Sequence, residues 1–307
     1  MDSPNFNYDL LVEKLYEKLN FHMKTTTLQA STDQYNDYQK RNRSERTYEG
    51  SHYMTKKLLE YFPATMAVDK IEIKEAEEFL EMLKKNAPIG VYNYLKILKA
   101  MWNKFKQWNY VVDNPFEHVK LKKKQQVDPK CVTEDMFTKV LKHISLELLR
   151  DILIVAFYTG LRLGELIKLT WQCVNLKDEL LIVGNDSFET KSRKQRLVPI
   201  HPSVKKILLK RLTKVINNGK NYVFCKSNGL PFTGDYISRR FKRACRKAGL
   251  EEGIHFHCLR HGAATRMIAN GAPLPAVQKV LGHSSIQTTM IYTHPDLESL
   301  REAVAKL

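Results

Sequence analysis

Six side chains in the second half of this 307-residue chain are of types that bind and attack a phosphate group. They are two arginines, one lysine, two histidines and one tyrosine, in the chain order Arg162, Lys191, His257, Arg260, His283 and Tyr292. Planar guanidinium groups bind two non-bridging phosphate oxygens at once and can neutralise the charge that develops on a pentacoordinate phosphorus. A tyrosine hydroxyl can serve as the nucleophile. With no paired carboxylates among the motifs, the set predicts phosphoryl transfer.

Each motif taken singly has an ordinary structural explanation. Arg162 and Glu165 stand three residues apart on a predicted helix, where such pairs are usually surface ion pairs. A basic turn around Lys191 is usually just solvated, and an isolated tyrosine near a C-terminus, such as Tyr292, usually belongs to the core or the surface. The functional interpretation therefore depends on the motifs occurring together and in this order.

Possible metal ligands also cluster around Arg260, in the stretch from His255 to His261. They are His255, His257, Cys258 and His261. Consecutive ligands at positions 257 and 258, without a distant CxxC or HxxxH partner, make poor zinc spacing. The sequence also lacks the glycine-rich GxxxxGK(S/T) loop that cradles nucleotide phosphates. We therefore expect no metal and no other cofactor, and we expect Cys258 to be a small core residue.

The elements that must position these side chains are mostly helices. Residues Ile152 to Tyr158 are apolar on all sides, which is typical of a buried helix. Thr159-Gly160 then breaks the helical pattern, so Arg162 is expected at the start of a new helix. Further along the chain, His257 and Arg260 are expected on one face of a later helix.

Between these helices the hydrophobic period changes to that of strands. Leu180 to Val183 and Arg196 to Ile200 are short strand-like runs on either side of a polar turn that contains Lys191. This pattern predicts a β-hairpin within otherwise helical sequence.

The first 122 residues have helical patterns throughout. One helix is predicted within residues 1–24, and residues 25–122 indicate an all-helical unit. In the clearest helix, Val91 to Trp108, one face is apolar and another carries a basic stripe, formed by Lys96, Lys99 and Lys106. The helix alone leaves open whether that stripe is a solvated surface or a DNA-facing one. The lysine-rich polar stretch at residues 123–131 predicts an interdomain linker.

The composition excludes several classes of protein. Lys and Arg number 50 against 33 Asp and Glu, for a formal net charge of +17. No stretch reaches the roughly 18 apolar residues of a membrane span, and the N-terminus lacks a signal-peptide layout. Five scattered cysteines, an odd number, do not make a disulfide scaffold. We therefore expect a cytoplasmic protein, associated with the nucleoid, whose polyanionic partner is nucleic acid and not a membrane.

Most of the net positive charge lies in one segment. Residues 191–250 hold 17 basic residues and a single acid, Asp235. A helix predicted at residues 235–248 carries the main candidates for DNA contact, Arg239, Arg240, Lys242, Arg243 and Arg246. Such a run can serve solubility alone, but its density favours contact with the phosphate backbone and the major groove. We expect this charge to form the DNA face of the second domain.

The motifs together closely resemble those of the tyrosine site-specific recombinases, which include phage and mobile-element integrases and the Xer and Cre-like proteins. Their order is Arg-x-x-Glu, a hairpin lysine, His-x-Leu-Arg, Leu-Gly-His, and a tyrosine nine residues later. The resemblance covers about residues 133–294 by motif and extends more loosely back to Thr25. It implies a mainly α fold with a small β-hairpin or sheet, arranged as a two-domain C-shaped clamp on DNA.

The resemblance also implies how the chain is divided. Residues 1–24 would be an N-terminal extension and residues 25–122 a helical, SAM-like core-binding domain. The basic linker at residues 123–131 would lead into a catalytic domain at residues 132–296. A C-terminal helix at residues 297–307 would pack on its own domain or dock on a neighbouring protomer, and the sequence leaves both open.

Residue by residue, the resemblance implies a division of chemical labour. Tyr292 would attack the scissile DNA phosphate, form a 3′-phosphotyrosine and release a 5′-hydroxyl. Arg162 and Arg260 would clamp the phosphate in its transition state, and Lys191 would protonate the leaving 5′-oxygen. His257 would hydrogen-bond the phosphate or assist deprotonation of the tyrosine.

Two further residues have implied supporting roles. His283 would donate another hydrogen bond, and Glu165 would support the site from behind by orienting His257 or Arg162. Three histidines have no implied role and are expected to be structural: His255, His261 and His294.

The hairpin contains more than one candidate for the residue that protonates the leaving 5′-oxygen. Lys191 lies five residues before Arg196, as the family pattern places it, but Arg193 and Lys194 are close by. Basic residues of the linker and the hairpin are also predicted DNA contacts: Lys122, Lys123, Arg193 and Lys194.

The implied function is site-specific recombination or integration, as for a mobile genetic element. Four protomers, two at each site, would exchange strands in two rounds through a Holliday junction, with accessory DNA-bending factors an open question. One alternative is a type IB topoisomerase, which reseals the same strand; the small chain and the Leu-Gly-His-to-Tyr spelling favour a recombinase. The other is a non-catalytic DNA-binding protein of the same fold, against which the full residue set argues.

Overall fold

The computed structural model describes residues 25–121, 129–184, 195–213 and 221–292, together with residues 301 and 305. The chain divides into two compact units, Met1–Gln125 and Gln126–Leu307. Several predictions fall outside the described residues: the helix within residues 1–24, most of the linker and of the C-terminal helix, and the basic residues Lys122, Lys123, Lys191, Arg193 and Lys194.

The described part of the first unit is helical. Its helices are α1 (Leu28–Asn42), α2 (Glu45–Tyr61), α3 (Ile73–Asn86), α4 (Val91–Gln107) and α5 (Pro115–His118). Helix α4 confirms the periodicity of its sequence, because Leu98, Trp102 and Phe105 recur at helical spacing and are fully buried. They form one core with apolar residues of the other helices.

The second unit is also mainly helical. Before the sheet it has α6 (Glu134–Leu141), α7 (Glu147–Thr159) and α8 (Leu163–Ile167). After the sheet come α9 (Pro202–Leu212), α10 (Gly234–Lys247), α11 (His257–Ala269), α12 (Leu274–Leu281) and α13 (Gln287–Met290). Thr133 caps α6, since its hydroxyl accepts a hydrogen bond from the Met136 amide at 3.3 Å. Helix α7 is the predicted buried helix, and it packs against α9 and α11.

A small antiparallel sheet interrupts these helices. Strand β2 (Leu180–Val183) pairs with β3 (Arg196–Pro199), and Leu181 lies opposite Val198. This confirms the predicted hairpin strands. A third strand, β1 (Val174–Asn175), pairs with the other edge of β2. Its two residues are too few to show a period of two, which is why the sequence did not predict it.

Within the described ranges, no helix is long and apolar enough to cross a membrane.

Candidate functional site

The site begins where α7 ends. Gly160 adopts a left-handed conformation with φ of 64°, which terminates the helix and turns the chain towards α8. A Cβ at this position would lie 2.7 Å from a methyl group of Leu281, at the end of α12. Only glycine therefore allows α7 and α12 to approach this closely. Arg162 follows as the N-cap of α8, as the sequence predicted.

Glu165 joins two arginines at the centre of the site. Its carboxylate accepts hydrogen bonds from Arg162 Nη1 at 3.0 Å and from Arg196 at 3.0 and 2.7 Å. A fourth hydrogen bond comes from the Arg162 backbone amide at 2.9 Å. Burial alone would raise the pKa of Glu165, but the hydrogen bonds and charges of the two arginines outweigh it and lower that pKa. Glu165 is therefore an anion that orients Arg162, one of the two arrangements predicted for it.

Arg196 did not belong to the predicted set of site residues. It lies on β3, its guanidinium binds Glu165 bidentately, and its Nε donates to the Val280 carbonyl at 2.8 Å. The alternation of the strand could have predicted that Arg196 points inward, because Arg196 shares a face with the buried Val198. A charged side chain on the buried face of a strand requires a partner, and Glu165 is that partner.

Arg260 is the most deeply buried cation of the site, with 2% of its surface exposed. Its two terminal nitrogens donate to the carbonyls of Gly160 at 2.7 Å and Leu281 at 2.6 Å. These bonds tie α11 to the ends of α7 and α12. Burial, and then repulsion from Arg162, lower the pKa of Arg260 to about 9, so it stays a cation at neutral pH.

His283 lies just beyond α12, after a second left-handed glycine, Gly282, with φ of 69°. Its Nδ1 is 2.9 Å from the hydroxyl of the buried Thr289. Burial and the neighbouring Arg260 and Arg162 lower the pKa of His283 to about 4. The ring is therefore neutral at physiological pH.

His257 is the first residue of α11 and borders an open pocket of about 470 Å³. Arg260 and the α10 residues Arg239 and Lys242 line the same pocket. Partial burial lowers the pKa of His257 to about 4, and the neighbouring His261 and Arg260 add to this effect. This pocket joins the arginine and histidine of the third motif to the basic helix.

Tyr292 is buried, and its hydroxyl lies 2.5 Å from Nδ1 of His261. Its ring also stacks near His283, with 6.4 Å between ring centroids. Burial raises the pKa of Tyr292, while the charges of Arg260 and Arg162 oppose that rise. His261 was expected to be structural, and its ring contacts the hydroxyl of the predicted nucleophile, Tyr292. The sequence contained an indication of this contact. His257 and His261 are four residues apart, so they lie on the same face of the helix.

The predicted basic helix forms, as α10, but its bases are not equivalent. Lys242 and Arg246 pair with Glu252 at 3.0 and 2.8 Å, so these two predicted DNA contacts already have a protein partner. Glu252 lies just after the basic segment at residues 191–250. Arg239, Arg240 and Arg243 are exposed, and Arg240 stacks over the ring of Tyr236 at 5.3 Å.

The three lysines of the basic stripe on α4 also differ in their contacts. Lys96 is exposed, whereas Lys99 donates to the Glu117 carbonyl at 3.1 Å and Lys106 pairs with Asp113 at 3.3 Å. The last pair is exposed and therefore weak.

The structure thus brings together five residues of the predicted set, Arg162, His257, Arg260, His283 and Tyr292, with Glu165 behind them. Lys191 lies outside the described residues. Among the described residues, no group of three or more His, Cys, Asp or Glu side chains could hold a metal ion. Instead, arginines, neutral histidines and a phenol surround the site, an arrangement suited to binding an anion next to a nucleophile.

Comparison with known proteins gives a consistent result. Residues 131–299 match the family model described as "Phage integrase family", and residues 27–125 match "Phage integrase SAM-like domain". A tyrosine recombinase of Thermosipho africanus is 29% identical over 279 residues, covering 87% of this chain and 95% of the relative. Tyrosine recombinase XerC of Lacticaseibacillus casei is 30% identical over 253 residues, covering 78% and 82%.

Two solved structures are similar in fold. The Tn1549 transposon integrase in complex with a circular intermediate DNA has a TM-score of 0.76 at 21% identity, covering 92% of this chain and 100% of the other. A lambda integrase dimer bound to a COC′ core site has a TM-score of 0.75 at 20% identity, covering 92% and 84%.

Proposed function

The chain belongs to the phage integrase family and is a tyrosine recombinase, and on that premise we propose that Tyr292 carries its chemistry. The observation that supports this most is the environment of the hydroxyl. Tyr292 is buried beside two arginines that both act on its pKa, and it is hydrogen-bonded to a histidine. A tyrosine that only filled the core would not need this surrounding.

In the proposed reaction, the Tyr292 oxygen forms a bond to the scissile phosphorus while the bond from phosphorus to the 5′-oxygen breaks. The products are a 3′-phosphotyrosine and a 5′-hydroxyl, so the attached strand keeps one negative charge on the phosphodiester. The leaving oxygen takes a proton from Lys191. Rejoining reverses these steps, and therefore neither nucleotide hydrolysis nor a metal is required.

Arg162 and Arg260 would bind the non-bridging oxygens. The Arg260 guanidinium is fixed by the carbonyls of Gly160 and Leu281, and Arg162 is fixed by Glu165. Donors held in place before the reaction need no reorganisation when charge develops on the phosphorane. Removing one such donor costs about 100- to 1,000-fold in rate in comparable sites.

The neutral rings of His257 and His283 would add hydrogen bonds to the phosphate. If Nδ1 of His283 accepts the hydrogen bond from the Thr289 hydroxyl, the neutral ring carries its proton on Nε2 and donates from there. His257 lines the pocket that opens beside Arg260, where a phosphate could be reached. Because both rings are neutral at physiological pH, they would contribute dipoles and not full charge.

DNA would be held by both units, which we propose act as the core-binding and catalytic domains. The exposed bases of α10, Arg239, Arg240 and Arg243, would contact phosphates, and Lys96 of α4 would do the same from the first unit. The weaker candidates already have protein partners: Lys99, Lys106, Lys242 and Arg246. Lys122, Lys123, Arg193 and Lys194 are proposed as further contacts.

At the level of assembly, we propose two protomers on each of two DNA sites, which exchange strands in two rounds through a Holliday junction. The protein would work on nucleoid DNA, with or without a DNA-bending partner. If the segment at residues 297–307 docks on a neighbouring protomer, its deletion should weaken assembly while sparing binding of one protomer. If it packs on its own domain, deletion should instead unfold the monomer.

The function is tested by covalent capture. The protein is incubated with a pool of nicked duplexes of randomised sequence, and DNA that stays attached after denaturation is sequenced. Wild-type protein should yield attached strands with a common sequence, and Tyr292→Phe should yield none while still binding DNA. Attached DNA in the Tyr292→Phe sample would show that another residue is the nucleophile.

A further inference from the structure

His261 lies on α11 one helical turn after His257 and faces Tyr292. Its Nδ1 is 2.5 Å from the phenolic oxygen, and the ring centroids are 5.4 Å apart. Among the described residues, this is the ring nitrogen that contacts the Tyr292 hydroxyl. The other histidines of the site have different partners.

His283 and His257 are less well placed to take a proton from Tyr292. Nδ1 of His283 contacts the Thr289 hydroxyl, and its ring lies nearly parallel to the tyrosine ring, with centroids 6.4 Å apart. His257 meets His261 edge-on at 4.7 Å and borders the open pocket with Arg260. The geometry therefore divides the histidines, with His257 towards the phosphate pocket and His261 towards the nucleophile.

We propose that His261 is the base that takes the phenolic proton of Tyr292 as this residue attacks the phosphate. The inference rests on the proposed function, and it adds to that function a residue for which the motifs implied no chemical role. The phenolic oxygen bonds to phosphorus, its proton passes to Nδ1 of His261, and the 5′-oxygen leaves with a proton from Lys191. An imidazolium and a neutral lysine result, and rejoining returns both protons.

The protonation states suit this direction of transfer. Burial, with the neighbouring His255 and Arg260, lowers the pKa of His261, so the ring is neutral at neutral pH and can accept a hydrogen bond. Burial raises the pKa of Tyr292, so the proton starts on the oxygen. The tautomer required has its proton on Nε2 and receives the phenolic hydrogen bond at Nδ1. Charged and titratable groups facing this ring are His255, His257, Arg260, His283 and Tyr292.

A sulfur substrate separates this role from that of the acid. In a nicked duplex with sulfur replacing the bridging 5′-oxygen at the scissile phosphate, the leaving thiolate needs no proton, because thiols ionise near pH 8.5. The sulfur substrate should then restore the cleavage rate of variants that lack the acid. It should not restore the rate of variants that fail to take the proton from Tyr292. Attached DNA is measured in a single turnover at neutral pH, on a site found by covalent capture.

The key variant is His261→Asn, whose amide can occupy the Nδ1 position and accept a hydrogen bond but cannot take a proton. We expect normal DNA binding and a cleavage rate about 100-fold or more below wild type on both the oxygen and the sulfur substrate. The control is His143→Asn, since the His143 side chain is exposed and lies outside the site. This control should cleave near the wild-type rate.

Three outcomes distinguish the possibilities. A His261→Asn rate within about 3-fold of wild type on the oxygen substrate would overturn the inference, since general bases contribute roughly 100- to 10,000-fold. Full rescue of His261→Asn by sulfur would also overturn it, because the residue would then act at the leaving group. Attached DNA with Tyr292→Phe would instead contradict the proposed function.

A wild-type measurement covers the case in which His261→Asn does not fold. With the sulfur substrate, the wild-type rate should reach its plateau by about neutral pH, where His261 is already neutral. A rate that keeps rising in proportion to hydroxide up to the ionisation of a tyrosine, near pH 10, would overturn the inference.

Discussion

At the scale of single residues, the described part of the site keeps more positive than negative charge among largely buried side chains. Arg162, Arg196 and Arg260 share one anion, Glu165, and the repulsion of Arg162 contributes to the low pKa of Arg260. Such an arrangement is costly without a ligand, because buried like charges are poorly screened. A phosphate bound between the arginines would relieve this repulsion. Because Glu165 offsets this repulsion among the arginines, the stability of the site depends on its carboxylate.

Glu165→Gln should therefore lower the free energy of unfolding by about 3 kcal/mol, since it leaves Arg196 buried without its anion. Urea unfolding at neutral pH measures this loss. A change below about 1 kcal/mol would show that the ion pair contributes no more than an exposed one. Lys106→Gln is the control, because its pair with Asp113 is exposed and its loss should cost little.

The pH dependence of this pair has a definite sign. The pKa of Glu165 is lower in the folded protein than its ordinary 4.5, so its stabilisation is present above that pH and is lost as pH falls through the folded value. In Glu165→Gln this loss should disappear, and the stability of the variant should depend less on pH below about 4.5. Parallel acid titrations of wild type and variant would contradict this if their slopes were equal.

His283 should act in a different pH range. Its pKa of about 4 lies below the ordinary 6.5, so between these values the unfolded chain takes up a proton that the folded chain does not. Stability should therefore fall as pH drops from 6.5 to about 4, and His283→Gln should reduce that fall. The exposed His143, changed to Gln, is the control. An unchanged slope in His283→Gln would show that the ring is not held neutral.

The residue types of the site were predictable, but not all of its contacts. Motif spelling predicted the five residues that the structure brings together, because the residues of each motif are neighbours along the chain. The contacts of Arg196 and His261 join elements that are distant in sequence. Strand and helix periodicity could have indicated which way each of them points, but only the packed structure shows that Glu165 and Tyr292 are the partners.

At the scale of elements, two left-handed glycines allow close approaches, Gly160 between α7 and α12 and Gly282 between the end of α12 and Arg196 of β3. Gly160 ends α7 and Gly282 ends α12, and each allows an approach that a side chain would block. The sequence predicted the first break from Thr159-Gly160, and the predicted hairpin strands pair as β2 and β3. The short β1 and the pairing of α10 with Glu252 were not predicted, since two residues show no period and a helix pattern does not reveal neighbours beyond its end.

Gly282→Ala should disturb the site from outside it. A Cβ there would lie 2.8 Å from Cδ of Arg196, which cannot move without leaving Glu165, and φ of 69° is itself unfavourable for alanine. We expect a loss of about 2 kcal/mol in unfolding free energy and slower cleavage. Gly249→Ala, also at positive φ but with open space around its Cβ, is the control for backbone strain alone. Equal losses in both variants would contradict the steric account.

The bases of α10 should divide into two classes in DNA binding. Arg240→Ala and Arg243→Ala should weaken binding and reduce the slope of log affinity against log salt by about 1 each, because each would remove one phosphate contact. Arg246→Ala on the same helix is the matched control, since Glu252 already pairs with that base. Fluorescence anisotropy over a range of salt concentrations measures the slopes. Equal slopes in all three variants would contradict this division.

At the scale of the whole molecule, the net charge of +17 is less concentrated on one face than the sequence suggests. In the segment at residues 191–250, at least six bases form ion pairs with carboxylates outside it: Arg196, Lys205, Lys210, Arg211, Lys242 and Arg246. The expectation that this charge forms the DNA face of the second unit stays a prediction, and these ion pairs reduce the number of unpaired bases that could serve it. Within the described part of the segment, the exposed arginines of α10 are the bases that we propose face DNA.

The central claim is that this tyrosine recombinase acts through a covalent bond between Tyr292 and DNA. The most direct measurement is mass spectrometry of the protein after single-turnover cleavage and nuclease digestion of the attached strand. We predict a nucleotide adduct on the peptide that contains Tyr292, joined through a 3′-phosphate, and no adduct in Tyr292→Phe. An adduct on any other residue, or cleaved DNA with no adduct on the protein, would contradict the account.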